Sequence, residues 1–246
     1  MPFCQSFTML FRGKRQQDKQ DKKPETFLED IRKFAPDYNE MADRIIALLQ
    51  AEWPRRVLDI GSGAGNIDMM ILDIVPASRI DCVEASRDMI KVSVSTLGRH
   101  LDRATLIHRD VMDFNPEGRY DAIMSNLVLH GMTREEKARL LARIHGWLAD
   151  GGLFVWGDLI RQEQKEPAKE AWKKRLNIKL PSVFRRGAGG GAEKKTEEKT
   201  PQTETKTAQD YPLTEEETIR LCSEAGFSGA FAAWKRGNFA VFSMRK

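Results

Sequence analysis

The stretch "RVLDIGSGAG", residues 56–65, constrains the fold of this 246-residue chain more than any other. Its apolar run predicts a buried strand, and the alternating glycines Gly61, Gly63 and Gly65 predict a turn with backbone angles that other residues rarely adopt. A helical pattern follows at once. A strand that passes through a glycine loop into a helix presents backbone N–H groups and a positive helix end to a ligand. The stretch therefore predicts an α/β fold with a ligand site at the end of this strand.

The chain on both sides alternates short apolar runs with helical patterns. Strands are predicted over 56–60, 79–84, 105–109, 120–126 and 153–158, with helices near 66–74, 87–99 and 133–149. A helical stripe at 41, 45, 48 and 49 precedes them. Capping boxes open the helices after Thr133 and Thr214, and Gly151 with Gly152 is expected to end the first of these. Two β-rich runs, 228–234 and 238–244, are close enough to form an antiparallel hairpin, so the fold class is a doubly wound, mostly parallel sheet.

Composition divides the chain into segments. Residues 1–26 are expected to form a disordered basic tail, because residues 1–23 hold six Lys or Arg against two Asp or Glu. Residues 27–160 are predicted to form the core with its N-terminal lid helices. Residues 161–210 form a variable insertion, flexible over 187–210, where no large apolar side chain occurs. Residues 211–246 return to the same domain with a helix and the hairpin.

Several classes of protein are excluded or disfavoured by composition. No apolar run approaches the roughly 20 residues of a membrane span, so no span is expected. The three cysteines, Cys4, Cys82 and Cys222, are odd in number and widely spaced, which favours neither a disulfide framework nor a metal site and fits a cytoplasmic protein. Outside residues 1–23 acids and bases balance, so nucleic-acid binding is not indicated.

The residues around the glycine loop discriminate between its three usual ligands. A nucleotide triphosphate loop would need a lysine that this chain lacks, and a dinucleotide loop would need glycine where Asn66 stands. Asp59 lies two residues before Gly61, where it would repel a pyrophosphate. The ammonium and sulfonium of S-adenosylmethionine are instead favoured by a carboxylate. The sequence therefore predicts S-adenosylmethionine as the cofactor.

Two further acids end the next two predicted strands. Glu84 is placed to accept hydrogen bonds from the ribose hydroxyls, and Asp110 to accept one from the adenine amino group. Val111 and Met112 would lie beside the adenine ring, with Met89 over its other face. A solvated loop carboxylate is the alternative for each acid taken alone, but three acids on successive strands disfavour coincidence.

These motifs resemble those of class I S-adenosylmethionine-dependent methyltransferases over roughly residues 27–160 and 210–246. "VLDIGSGAG" matches the family's D-x-G-x-G-x-G motif, and Glu84, Asp110 and "YDAIMSNLVLHGM" match its later ones. The resemblance implies a Rossmann-like sheet of seven strands with the last antiparallel. It also implies that residues 34–41 fold over the cofactor, with Tyr38 near the sulfur. The predicted cofactor contacts are Asp59, Gly61, Ser62, Gly63, Gly65, Glu84, Ala85, Met89, Asp110, Val111, Met112, Asn126 and Tyr38.

The resemblance implies methyl transfer to a small-molecule acceptor, without a metal. Asn126 is expected to line the cleft where methyl group and acceptor meet. His130 is a candidate general base or substrate contact, with a structural histidine bonded to a backbone carbonyl as the alternative. Two other functions stay open: carboxy-S-adenosylmethionine synthesis, which the C-terminal sequence also resembles, and non-catalytic binding of the cofactor by a regulatory module.

Overall fold

The structure, a computed structural model, describes residues 35–162 and 211–246. Its regular elements alternate between helix and strand along most of the chain. They are α1 Tyr38–Glu52, β1 Arg56–Ile60, α2 Asn66–Ile74, β2 Arg79–Glu84, α3 Arg87–Leu97, β3 Ala104–His108, β4 Tyr120–Asn126, α4 Arg134–Trp147, β5 Leu148–Leu159, α5 Glu215–Glu224, β6 Ser228–Arg236 and β7 Phe239–Arg245. Short 3-10 turns cover Gly98–His100, Val111–Asp113 and Leu129–Gly131.

One seven-stranded sheet with the order β3-β2-β1-β4-β5-β7-β6 organises the fold. Strands β1 to β5 run parallel, and β7 is antiparallel to both β5 and β6. This confirms the predicted sheet, with the hairpin inserting β7 between β5 and the edge strand β6. Because parallel strands share one direction, β1, β2, β3 and β4 all end at the same edge, where their following loops meet.

Helices cover both faces of the sheet, so the fold is doubly wound. The buried residues of α1, α2 and α3 form one apolar cluster with alternate strand residues such as Val57, Cys82 and Met124. Those of α4 and α5 form the other, with Leu58, Ile123 and their equivalents. The strands are apolar on both faces because each face is covered by helices.

Both capping boxes form as predicted, since Thr133 and Thr214 each accept a hydrogen bond from the backbone of the glutamate three residues later. The predicted end of α4 is wrong. The helix ends at Trp147, and Leu148, which belongs to the same apolar stripe, is fully buried as the first residue of β5. The glycine pair at 151 and 152 lies inside the extended segment and not at a helix end.

The predictions for residues 1–34 and 163–210 lie outside the described residues. The two described ends of the second gap are held together, because Arg161 N donates to Leu213 O at 2.8 Å and the Arg161 side chain pairs with Glu217. In the described ranges, no helix combines the length and apolarity that crossing a bilayer requires. Nor do 35–162 and 211–246 hold a cluster of His, Cys, Asp or Glu suited to a metal ion.

The packing of α1 predicts that it contributes to the stability of the core. Ile45 is fully buried, so Ile45→Ala should lower the free energy of unfolding by about 2–5 kcal/mol in urea denaturation. Val94→Ala, on the exposed side of α3, serves as the control and should change it by no more than about 0.5 kcal/mol. Equal effects of the two substitutions would contradict the packing described for α1.

Candidate cofactor site

The glycine loop connects β1 to α2 with all three glycines in the left-handed region. Gly61, Gly63 and Gly65 have φ angles of 73°, 57° and 78°. A Cβ atom at Gly61 would lie 2.4 Å from Cγ2 of Val128, so any other residue at position 61 would force Val128 to move. The loop is anchored to β2 by a hydrogen bond of 2.7 Å from Gly61 N to Val83 O. The loop therefore has the shape that the sequence predicts, and Val128 adds a steric reason for glycine at 61.

Glu84 joins this loop to the end of β2. Its buried carboxylate accepts a hydrogen bond from Gly63 N at 3.0 Å and another from Ser86 N at 2.6 Å. Burial raises the pKa of Glu84, and the backbone donors of Ser86 and Gly63 oppose that shift. Each carboxylate oxygen has a further lone pair, so Glu84 can bind both N–H groups and still accept from ligand hydroxyls.

The residues after β3 that are predicted to contact adenine lie in a 3-10 turn. Asp110 caps this turn through a hydrogen bond of 2.8 Å from Met112 N to its Oδ1, and its side chain is otherwise exposed. Val111 is buried and Met112 is half-buried. Arg143 fixes the turn from α4 by donating to the carbonyls of Val111 and Met112, the latter at 2.5 Å.

Met89 and Ala85, two other predicted residues, flank the same edge of the sheet. Met89 is buried in the first turn of α3, where its N–H donates to Ser86 Oγ at 3.4 Å. Ala85, between Glu84 and Ser86, lies opposite His108, whose Nε2 is 3.2 Å from its carbonyl oxygen. Tyr38 is buried as the first residue of α1. Its role at the cofactor stays a prediction.

Asn126 ends β4 beside a strained backbone position. Leu127 has a φ of 58°, unusual for a leucine, and its N–H donates to Gly157 O at 2.8 Å. A Cβ at Gly157 would lie 2.5 Å from Asn126 Oδ1, so glycine at 157 leaves room for this amide. The strain and the glycine together set where the Asn126 side chain lies.

Two buried polar atoms at this edge are available to a ligand. Ser62 Oγ in the glycine loop and Asn126 Oδ1 have no hydrogen-bond partner among the residues that the structure describes. A buried polar atom without a partner costs free energy, and a polar ligand in the cleft would remove that cost. With the left-handed loop and the Glu84 carboxylate, these atoms fit a nucleoside with a charged amino-acid end, as in S-adenosylmethionine.

His130 is paired with a buried acid, Asp158. Its Nδ1 lies 2.6 Å from Asp158 Oδ1, and its backbone N–H donates to Oδ2 at 2.9 Å. Trp156 Nε1 donates to the same Oδ2 at 2.9 Å. Although burial opposes ionisation, His130 and these donors hold the pKa of Asp158 below its ordinary value. The partner of the imidazole Nδ1 is thus the Asp158 carboxylate.

The structure also places a second buried acid beside Asp59 that the sequence reasoning missed. Asp68, in the first turn of α2, is fully buried, and neither of its oxygens accepts a hydrogen bond from the described residues. Burial raises the pKa of Asp68 to about 7. Burial raises the pKa of Asp59 well above its ordinary value, and the neighbouring acids Asp68 and Glu84 raise it further. The predicted site therefore has two buried carboxyl groups with raised pKa values at its amino-acid end.

A signal for Asp68 was present in the sequence. Ile67, Ile71 and Leu72 mark the buried stripe of α2, and Asp68 falls inside that stripe, four residues before Leu72. An acid on the apolar face of a helix indicates a buried polar interaction. Asp158 gave a weaker signal, because alternation along β5 does not reveal which residue of another loop it faces.

This sheet order, with a glycine loop after β1 and an acid after β2, defines the class I S-adenosylmethionine-dependent methyltransferase fold. Residues 57–152 match the model of the methyltransferase domain family, which agrees with the class that the sheet and the glycine loop indicate. S-adenosylmethionine is the cofactor of that class.

Individual relatives agree with this assignment. The chain is 29% identical over 151 residues to malonyl-[acyl-carrier protein] O-methyltransferase of Geobacter sulfurreducens, covering 58% of this chain and 54% of the relative. It is 23% identical to carboxy-S-adenosyl-L-methionine synthase of Campylobacter fetus subsp. fetus, over 76% of this chain and 75% of that protein. The chain thus spans about half the length of the malonyl-[acyl-carrier protein] methyltransferases that it matches.

Solved structures show the same fold. Magnesium protoporphyrin IX methyltransferase from Synechocystis, crystallised with bound S-adenosylmethionine, aligns with a TM-score of 0.59 at 13% identity. That alignment covers 95% of this chain and 86% of the other.

The buried pair Asp59 and Asp68 predicts a stability that depends on pH. Asp68 keeps its proton in the native state up to about pH 7 but loses it near its ordinary value of 3.8 when unfolded. Since the native state then binds more protons, the free energy of unfolding should fall with rising pH by about 1 kcal/mol per unit between about pH 5 and about pH 7.

Urea denaturation of the wild type and of Asp68→Asn across this range measures the effect. The variant has no carboxyl group to ionise at position 68, so its stability should change much less with pH. Parallel pH curves for the two proteins would show that Asp68 ionises normally in the native state.

Proposed function

We propose that the protein transfers a methyl group from S-adenosylmethionine to a small-molecule acceptor. The observation that carries this proposal is the buried Glu84 carboxylate, hydrogen-bonded to Gly63 N within the glycine loop at 3.0 Å. It links the acid that we assign to the ribose and the loop that we assign to the amino-acid end of the cofactor, at one edge of the sheet. The methyltransferase domain match over residues 57–152 supports the same reaction.

The bound cofactor would supply an electrophilic methyl group, and the protein would bind and orient both reactants. The glycine loop and Asp59 would bind the amino-acid end, and Glu84 the ribose. Val111 and Met89 offer apolar contacts for the adenine, with Asp110 at its polar edge. Asn126 would face the acceptor. Free, buried Cys82 and Cys222 suit a reducing compartment, which supports the cytoplasm as the location.

His130 is the proposed general base for acceptors that must lose a proton. Asp158 holds its Nδ1 at 2.6 Å, which would fix the ring and favour the tautomer with the proton on Nδ1. Such a histidine has Nε2 as its basic atom. A carboxylate acceptor is already deprotonated at neutral pH and needs no base, so the role of His130 depends on the acceptor.

The second candidate function is carboxy-S-adenosylmethionine synthesis. It is favoured by the relative from Campylobacter fetus, because that match covers three quarters of both chains, 76% and 75%. Mass spectrometry of ligands that copurify with the full chain separates the two functions: a carboxylated cofactor supports the second. Cofactor binding with no turnover on any acceptor would instead support a regulatory module.

Calorimetric titration with S-adenosylmethionine, S-adenosylhomocysteine and NAD tests the cofactor assignment. The first two should bind with micromolar dissociation constants and NAD should not bind. If NAD binds and the others do not, the proposed function is wrong.

Substitution of Glu84 should weaken cofactor binding specifically. Glu84→Gln, and independently Gly63→Val, should each raise the dissociation constant of S-adenosylmethionine at least tenfold, about 1.4 kcal/mol. Asp121→Asn is the matched control, because Asp121 Oδ2 also accepts two backbone N–H groups, from Arg55 and Arg56, both at 2.9 Å, where β1 and β4 begin. Its dissociation constant should stay at the wild-type value. Equal affinity in all four proteins would refute the assigned ribose site.

His130→Gln and Asp158→Asn test the general base. With phenol or amine acceptors, His130→Gln should reduce turnover by about 10²-fold or more, with an unchanged dissociation constant for S-adenosylmethionine. Asp158→Asn should act in the same direction, whereas carboxylate acceptors should be little affected. Turnover is followed as release of S-adenosylhomocysteine over a panel of these acceptors. His145→Gln, on α4 beside Phe227, is the control histidine, and full phenol or amine turnover by His130→Gln would disprove the base role.

A further inference from the structure

Two buried carboxyl groups, one on β1 and one on the first turn of α2, are close neighbours. Asp59 is the fourth residue of β1, where it lies in register with Cys82 on β2 and Met124 on β4. Asp68 comes from the first turn of α2, just after the loop. They are 5% and 0% exposed, and both Asp68 oxygens lack a hydrogen-bond partner within the described residues.

The groups around this pair do not neutralise it. Cys82 and Glu84 are its titratable neighbours on β2, and both add negative charge if they ionise. The buried side chains of α1 and α3, the helices beside α2, are apolar apart from Tyr38 and Ser93. No lysine, arginine or histidine is buried on β1, β2, β4 or α1 to α3 as described.

Two neighbouring carboxyls in such surroundings cannot both ionise at neutral pH without a compensating cation, because their repulsion is not screened by water. The pair therefore shares at least one proton. The rise in the pKa of Asp68 to about 7, caused by burial, agrees with this conclusion from the geometry. A cation that arrived next to Asp59 would replace the proton as the compensating charge.

We propose that Asp68 is a second acidic residue of the cofactor site, and that binding of the cofactor's ammonium group beside Asp59 releases the shared proton to solvent. This inference rests on the proposed function, because it assumes a cofactor with a cationic amino-acid end. In the step, the O–H bond of one carboxyl breaks, the proton passes to buffer, and both carboxylates stay with the bound cation. Asp68 acts on the cofactor through the charge of Asp59, so it is a positioning residue and not a direct contact.

The proposal predicts that ligand and proton compete. Affinity for S-adenosylmethionine should fall as the pH falls, by about tenfold between pH 8 and pH 6, because the ligand must displace the proton. At high pH the pair holds fewer protons, so less release should accompany binding. Adenosine lacks the amino-acid end and should bind without proton release at any pH.

The experiment is calorimetry of the full chain in two buffers of different ionisation enthalpy, phosphate and Tris, at several pH values. The difference between the two observed binding enthalpies, divided by the difference between the buffer ionisation enthalpies, gives the number of protons released. Wild type should release up to one proton near pH 6.5 with S-adenosylmethionine or S-adenosylhomocysteine, and less at pH 9. Asp68→Asn should release fewer protons than the wild type and bind with a weaker dependence on pH.

Asp88→Asn is the matched control, since Asp88 is an exposed first-turn acid of the next helix with a side chain 75% exposed. It should release protons as the wild type does. Equal release by the wild type and Asp68→Asn, or wild-type release that does not vary with pH, would overturn the inference while leaving cofactor binding intact. If neither cofactor form binds at any pH, the proposed function fails and the inference fails with it. The wild-type pH series decides the question even if Asp68→Asn folds poorly.

Discussion

The hydrogen bond from Gly63 N to Glu84 determines how the rest of the site is arranged. It links the loop after β1 to the end of β2, and parallel pairing then aligns the ends of β3 and β4 at the same edge. The loop can approach Glu84 only because its glycines adopt left-handed angles. A local backbone property of three residues therefore positions side chains that are separated by tens of residues in sequence.

The buried carboxyl groups at this edge of the sheet lie in three different environments. Glu84 receives backbone donors that stabilise its charge, whereas burial is the dominant influence on Asp59 and Asp68 and raises the pKa of both. Asp158 is a third case, since it is hydrogen-bonded to His130 Nδ1 at 2.6 Å and to Trp156 Nε1 at 2.9 Å. Buried acids of similar chemistry thus differ in ionisation because their nearest neighbours differ.

Much of the fold could be predicted from the sequence. The bounds of β1, β2, β4 and α2 agree with the apolar periodicity, and both capping boxes form at the predicted threonines, because these signals depend on residues close in sequence. The predicted end of α4 was wrong because Leu148 fits both the apolar stripe of the helix and the buried interior of β5. The contact of Val128 with Gly61, the pairing of Asp68 with Asp59 and the pairing of His130 with Asp158 depend on tertiary packing, which no local pattern encodes.

The backbone hydrogen bond between Arg161 and Leu213 has a consequence for how such a chain can diversify. The strands of the sheet lie on both sides of this junction in sequence, so the fold requires that the intervening chain leave and return at one fixed point. Doubling the length of a chain between fixed ends costs only about 0.6 kcal/mol of closure entropy. Segments of very different length and composition can therefore be exchanged at this junction, next to the strand that carries Asp158, while the cofactor edge stays unchanged.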